Sequence, residues 1–145
     1  MMRTQIQLPE EQYRRLRCQK PYDVAWPTAW REVVRTFRRL LAERRPLWTT
    51  SYVVVERVAL LQHRLGLAPV RDFTEHVLPV LSVDWVSESL HRKGIERLLR
   101  EDRRRLSLVD CVSLEFIGSH GLRDVLALDP HFSEAGCRFL VQDQK

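Results

Sequence analysis

The 145-residue chain has little cysteine, little glycine and almost no lysine. Its three cysteines, Cys18, Cys111 and Cys137, are far apart and odd in number. No CxxC pair and no Cys/His cluster at zinc spacing occurs, so neither a disulfide framework nor a structural zinc site is expected. Sparse, unclustered cysteine fits a reducing cytoplasm. The five glycines are scattered, which leaves no glycine-rich phosphate loop. No apolar run reaches the ~18 residues of a membrane span, and the opening residues lack a secretory h-region. No internal repeat, low-complexity tract or obvious interdomain linker is visible. No Ser/His/Asp or Cys/His arrangement stands out. His63, His76, His91 and His120 fall at polar helix positions and read as solvated, and His131 reads as structural.

What is present fits one folded domain, residues 1–145. Apolar residues make up 44% and charged residues 30%, so the chain can bury a core. The net charge is +5, and only Lys20, Lys93 and Lys145 among the 24 basic residues are lysines. An arginine-rich surface suits planar contacts with phosphates or carboxylates. It is equally the composition of a GC-rich or thermophilic source.

Residues 1–25 form an atypical strand, helix and loop ahead of a body at 26–145. Thr4, Ile6 and Leu8 alternate with polar neighbours, as in a short strand. Pro9, Glu10 and Glu11 suit the first turn of a helix. A helix is expected from Thr28 to about Arg44, with Trp30, Val33, Val34, Phe37, Leu40 and Leu41 on one stripe. Residues 46–50 read as a short buried strand. Ser51 to Leu65 reads as a helix from its 54, 58, 61, 65 spacing, against the strand preference of three successive valines. Gly66 ends it. Further helices are expected at 69–78, from Ser87 to about Arg103, and from Ser107 to Ser119. Strands are expected at 80–86, 125–128 and 137–141. Helices alternating with short apolar strands imply an α/β fold with a mostly parallel sheet.

Three acids interrupt apolar segments: Glu56 in TTSYVVVERVALL, Asp110 in LSLVDCVSLEF and Asp129 in DVLALDPHF. Charge in such settings is costly unless paired. Each has a plain reading. Asp110 follows Ser107 at capping-box spacing, Asp129 precedes a proline as a turn residue does, and Glu56 could pair with Arg57 or Arg97. Together they allow another. Sites in open α/β sheets form beyond the carboxyl ends of the strands, where helix starts also open. Three carboxylates there suit Mg²⁺ or Mn²⁺.

The segments PLWTTSYVVVE, LSLVDCVSLEF and GLRDVLALDPHFSEAG, in this order and spacing, resemble the PIN-domain ribonucleases, in particular the VapC-type toxins of toxin–antitoxin pairs. The resemblance covers about four-fifths of the chain. It implies a three-layer α/β fold with a central, mostly parallel sheet flanked by helices. It implies Glu56, Asp110 and Asp129 as the second, third and fourth acids of a metal-dependent endoribonuclease, with Ser107 beside the third. It also implies an RNA substrate, a cognate antitoxin, a cytoplasmic setting and a homodimer, with the Trp30/Phe37 helix as a self-complementary face. Arg103, Arg104 and Arg105 are candidates for holding the RNA backbone. The family opens on a strand ending in Asp-Thr or Asp-Ser, which supplies a first metal ligand. Here the first strand ends in Pro9-Glu10-Glu11 and resembles the opening of a ribbon-helix-helix antitoxin. A hybrid start and a divergent first strand with Glu10 standing in both fit. The alternative function is a PIN-like binding or dimerising module, catalytically impaired for want of that first Asp.

Overall fold

The computed structural model describes residues 28–127 and 130–140. The expected strand at 4–8, the helix opened by Pro9 and the side chain of Trp30 lie outside this range, as do Leu128, Asp129 and Val141. The first described helix, α1 (Thr28–Ala42), turns Val33 and Leu40 inward on the expected stripe. Arg44 follows it in the left-handed region at φ 53°. Strand β1 (Trp48–Thr50) runs straight into α2 (Ser51–Leu65). Thr50 ends the strand in extended backbone, and its hydroxyl accepts from the Val53 N–H at 3.4 Å. That cap, with the burial of Val53, outweighs the strand preference of the valine run. Gly66 then breaks the helix at φ 89°, a conformation that favours glycine.

The next stretch differs from expectation. Helical backbone begins earlier, at α3 (Leu67–Asp72), with Pro69 tolerated in its first turn. It then widens into a π-helical turn at Phe73–Val77 and tightens into a 3-10 turn at Leu78–Val80. Pro79 cannot donate a backbone hydrogen bond, so a regular helix cannot continue through it. Strand β2 (Ser82–Asp84) follows, shorter than expected, and Ser87 caps α4 (Glu88–Glu101) by accepting from the Leu90 N–H at 3.1 Å. Helix α4 ends at Asp102, whose φ of 48° reverses the chain. Helix α5 (Leu108–Ser119) has the predicted limits. Strand β3 (Asp124–Val125), helix α6 (Pro130–Glu134) and strand β4 (Arg138–Phe139) complete the described chain.

All described strand pairing is parallel, as the α/β reading requires. It comes as two separate pairs: β1 with β2 (Thr50 opposite Asp84) and β3 with β4 (Asp124 opposite Arg138). The β3–β4 pair is clamped by Arg138 Nε donating to Asp124 Oδ1 at 2.6 Å. The main core surrounds α5, where Cys111, Leu114 and Ile117 pack with Leu106, Val125, Ala127 and Phe132. Helix α4 presses on α5 through Gly94, where a Cβ would stand 2.5 Å from Val112 Cγ2. A smaller cluster joins Val33 to Leu126, with Phe37 and Leu140 packed against it. Among the described residues, Cys111 and Cys137 are free thiols.

Candidate active site

Two of the three predicted acids come together where α2 packs against α5. Glu56 lies on α2 one turn beyond Tyr52, on the same helix face. Its side chain is 33% exposed, and Arg57 Nη2, itself well buried, lies 3.4 Å from Oε2. Burial pushes the Glu56 carboxyl above its ordinary value. The Arg57 guanidinium opposes that rise, and the charge of Asp110 adds to it. The two acids therefore share one electrostatic space. Of the expected partners for Glu56, Arg57 is present. Arg97 instead donates to Glu115 across the α4–α5 seam at 3.1 Å.

Asp110 is the third residue of α5 and only 4% exposed. Its Oδ2 accepts from the Ser107 N–H at 3.1 Å and from the Ser107 hydroxyl at 2.8 Å. In return Ser107 Oγ accepts from the Asp110 N–H at 3.1 Å. The capping reading of Asp110 is thus correct and does not compete with a site role. The cap fixes one carboxylate oxygen, while the charge still acts on Glu56. Asp129 lies outside the described residues, between the buried Ala127 and α6. Among the described residues no group of three or more Asp, Glu, His or Cys stands ready to hold a metal ion. The described part of the expected trio is the coupled pair.

Among the histidines read as solvated, His91 needs correction. His63 and His76 are exposed as expected. His91 is half-buried, with Nδ1 2.6 Å from the Tyr52 hydroxyl and the two rings edge-on at 5.9 Å. Ser87 sets the start of α4, and its first full turn brings His91 onto the start of α2. Neither residue carries a local signal of this contact, because the two stand 39 positions apart. His120 stacks on Phe116 at 4.4 Å, and its Nδ1 lies 2.8 Å from the Phe116 carbonyl oxygen. Of the three successive arginines, Arg103 is bound to Glu134 at 2.5 Å, and that hydrogen bond holds the Glu134 carboxyl below its usual range. Arg104 and Arg105 are exposed.

No family model matches the chain. Individual relatives do. The 23S rRNA-specific endonuclease VapC20 of Mycobacterium tuberculosis, from two strains, is 33% identical over 103 residues, covering 70% of this chain and 79% of the relative. The crystal structure of Mycobacterium tuberculosis VapC20, described as a sarcin-ricin loop cleaving toxin, superposes with a TM-score of 0.61 at 31% identity. That match covers 72% of this chain and 82% of the other. The chain belongs to the VapC family. Its helices, its parallel strand pairs and its TM-score to another VapC protein agree on the PIN-like α/β fold. Among the described residues of this VapC protein, no helix is long and apolar enough to cross a membrane.

Proposed function

We propose that this VapC chain is a divalent-metal-dependent endoribonuclease acting on RNA phosphodiesters. One observation carries the reading: burial raises the Glu56 carboxyl, and the charge of Asp110, from a second helix, raises it further. Two acids brought together at the edge of an apolar core are costly without a compensating cation. The Mycobacterium tuberculosis relative, named for its endonuclease action on 23S rRNA, supports RNA as the substrate class.

Glu56, Asp110 and Asp129 are the residues that would hold Mg²⁺ or Mn²⁺, since all three offer the hard oxygen donors these ions take. When bound there, such an ion supplies charge neutralisation at the phosphodiester and a water of lowered pKa. The chain's own residues prepare the site. Ser107 binds Asp110 Oδ2 twice, so the carboxylate keeps one orientation. Arg57 offsets part of the negative charge at Glu56. Arg104 and Arg105, both exposed, are the candidates to take backbone phosphates, whereas Arg103 is engaged with Glu134. Phosphate contacts of this kind make RNA affinity fall with salt.

The same reading carries a cognate antitoxin as inhibitor, a cytoplasmic setting and a homodimer. Phe37, expected on the dimer face, packs against Val33 and Leu126 of its own chain, so other residues of α1 would have to make that contact.

The test is cleavage of RNA by the purified full chain in Mg²⁺, in Mn²⁺ and in EDTA, beside Asp110→Asn and Glu56→Gln. Removing groups that merely orient metal ligands costs about 10–100-fold, so each substitution should cost at least that much. Cleavage that survives in EDTA or in Asp110→Asn overturns the reading. RNA bound but never cleaved in any metal would favour the impaired binding module instead.

A further inference from the structure

We infer that Trp85 is the platform on which an unpaired nucleobase of the RNA stacks, held at the start of α2 by strand β2 and by the Val86–Ser51 hydrogen bond. The inference rests on the ribonuclease reading above and adds a specificity-determining residue to it.

Trp85 directly follows β2, and its side chain is 77% exposed, the most exposed of the large apolar side chains described. Its backbone is not loose. Asp84 before it pairs with Thr50 in the parallel register. Val86 after it donates its N–H to Ser51 Oγ at 3.0 Å. Those two ties hold Trp85 at the carboxyl edge of the β1–β2 pair, the edge from which α2 starts. Tyr52 is the next residue of α2 after Ser51, and it binds His91 at 2.6 Å. One turn further along the same face of α2 comes Glu56. From the carboxyl edge of the strand pair, Trp85, Tyr52 with its partner His91, and then Glu56 thus follow one another along the start of α2.

The exposed indole, carried on an anchored strand end, offers a flat apolar face at this edge. Its neighbourhood favours a nucleic acid. Lys93 is exposed on the first turns of α4, two residues from His91, the exposed Arg92 is bound to Glu88, and the whole chain carries a net charge of +5. Every base offers a π-face, and an indole with cationic neighbours takes an unpaired base and its flanking phosphate together. The Tyr52–His91 bond fixes the imidazole. With the tyrosine hydroxyl donating to Nδ1, the Nε2–H is a donor for ribose or phosphate oxygen.

The probe is a fluorescently labelled single-stranded oligoribonucleotide, titrated in EDTA so that binding is read without cleavage. Stacking is worth about 1–3 kcal/mol per base, so Trp85→Ala should weaken binding by roughly 5- to 150-fold. Trp85→Phe should keep most of the affinity, and the intrinsic fluorescence that the RNA quenches in the wild type should be missing in both variants. A matched duplex should bind wild type and Trp85→Ala alike. If the wild type binds the single strand and Trp85→Ala binds it equally well, the platform is refuted while the ribonuclease reading stands. If Trp85→Ala instead changes the oligomeric state and leaves RNA affinity unchanged, the indole is a protein contact and the inference is wrong. If the wild type binds no RNA in EDTA, the platform is refuted, and the cleavage assay in Mg²⁺ and Mn²⁺ decides the ribonuclease reading separately.

Discussion

The two sides of the carboxylate pair are packed very differently. On one side, α5 buries seven of its residues, and Cys111 and Val112 have no exposed surface. On the other, the stretch from Leu67 to Val80 buries none. It borders an apolar cavity of about 590 Å³, lined by Val33 and Phe37 of α1, Val53 and Leu61 of α2, and Phe73 and Val77. Asp110 belongs to the tight side and is locked by its cap. Glu56 belongs to α2, whose other face looks onto the cavity. One carboxylate is a fixed point, and the other sits on an element with room to shift. Under the proposed function, a site that takes a cation and then a bulky polyanion would gain from that pairing, because only one partner has to adjust.

The largest effect should come from truncating the tight side. Leu114→Ala is expected to lower stability by about 2–5 kcal/mol, the range for large-to-small changes in a closed core. Leu61→Ala, at the cavity wall, should cost at most about 2 kcal/mol, since a half-buried side chain has less area to lose. Chemical denaturation of both variants measures the contrast, and equal losses would break it. Next comes the α4–α5 seam. Gly94→Ala places a methyl 2.5 Å from Val112 Cγ2 and should cost about 1–3 kcal/mol, even though alanine is the better helix former. Adding Val112→Ala should return part of that loss. A double-mutant cycle with no coupling would show that the helices separate freely.

A smaller effect concerns the seam between the two sides. The Glu56 carboxyl is raised above 4.5 in the folded state. The folded protein therefore holds its proton longer than the unfolded chain, and stability falls as pH rises from 4.5 through the raised value. Glu56→Gln removes that fall, so the metal-free variant should melt higher than wild type at neutral pH and alike in acid. Thermal melts at about pH 4 and pH 7 check the sign, and parallel curves would refute it. Smallest of all is the exposed Arg92–Glu88 pair on α4, where Arg92→Ala should cost only about 0.3–0.5 kcal/mol.

What could be read from the sequence was mostly local. Helix α5 and helix α2 have their predicted ends because Ser107, Thr50 and Gly66 act within one turn of themselves. Glu56 and Asp110 were conspicuous because each is a lone acid in an apolar run; Asp110 closes a capping box, and its charge acts on Glu56. Pairing across the chain was not legible. Nothing in residues 48–50 or 124–125 says that their strands form two separate pairs. Tyr52 and His91 look unremarkable until two helices bring them together. The stretch from Leu67 to Val80 was hard for another reason: Pro69 and Pro79 bracket it, and it changes helix type twice between them.

The two parallel strand pairs also set an order of assembly. The β3–β4 clamp between Asp124 and Arg138 closes a separation of 14 residues, while the Ser51–Val86 tie beside β1 and β2 closes one of 35. Chain entropy makes the longer closure costlier by about 0.8 kcal/mol, before any helix has docked. The short closure needs only α6 to form, whereas the long one waits for α2 and the irregular turns behind it. The C-terminal unit should gain structure first in refolding, and the edge that carries Tyr52, Glu56 and Trp85 should gain it last. Under the proposed function, nuclease competence would then appear only with the last structure to form.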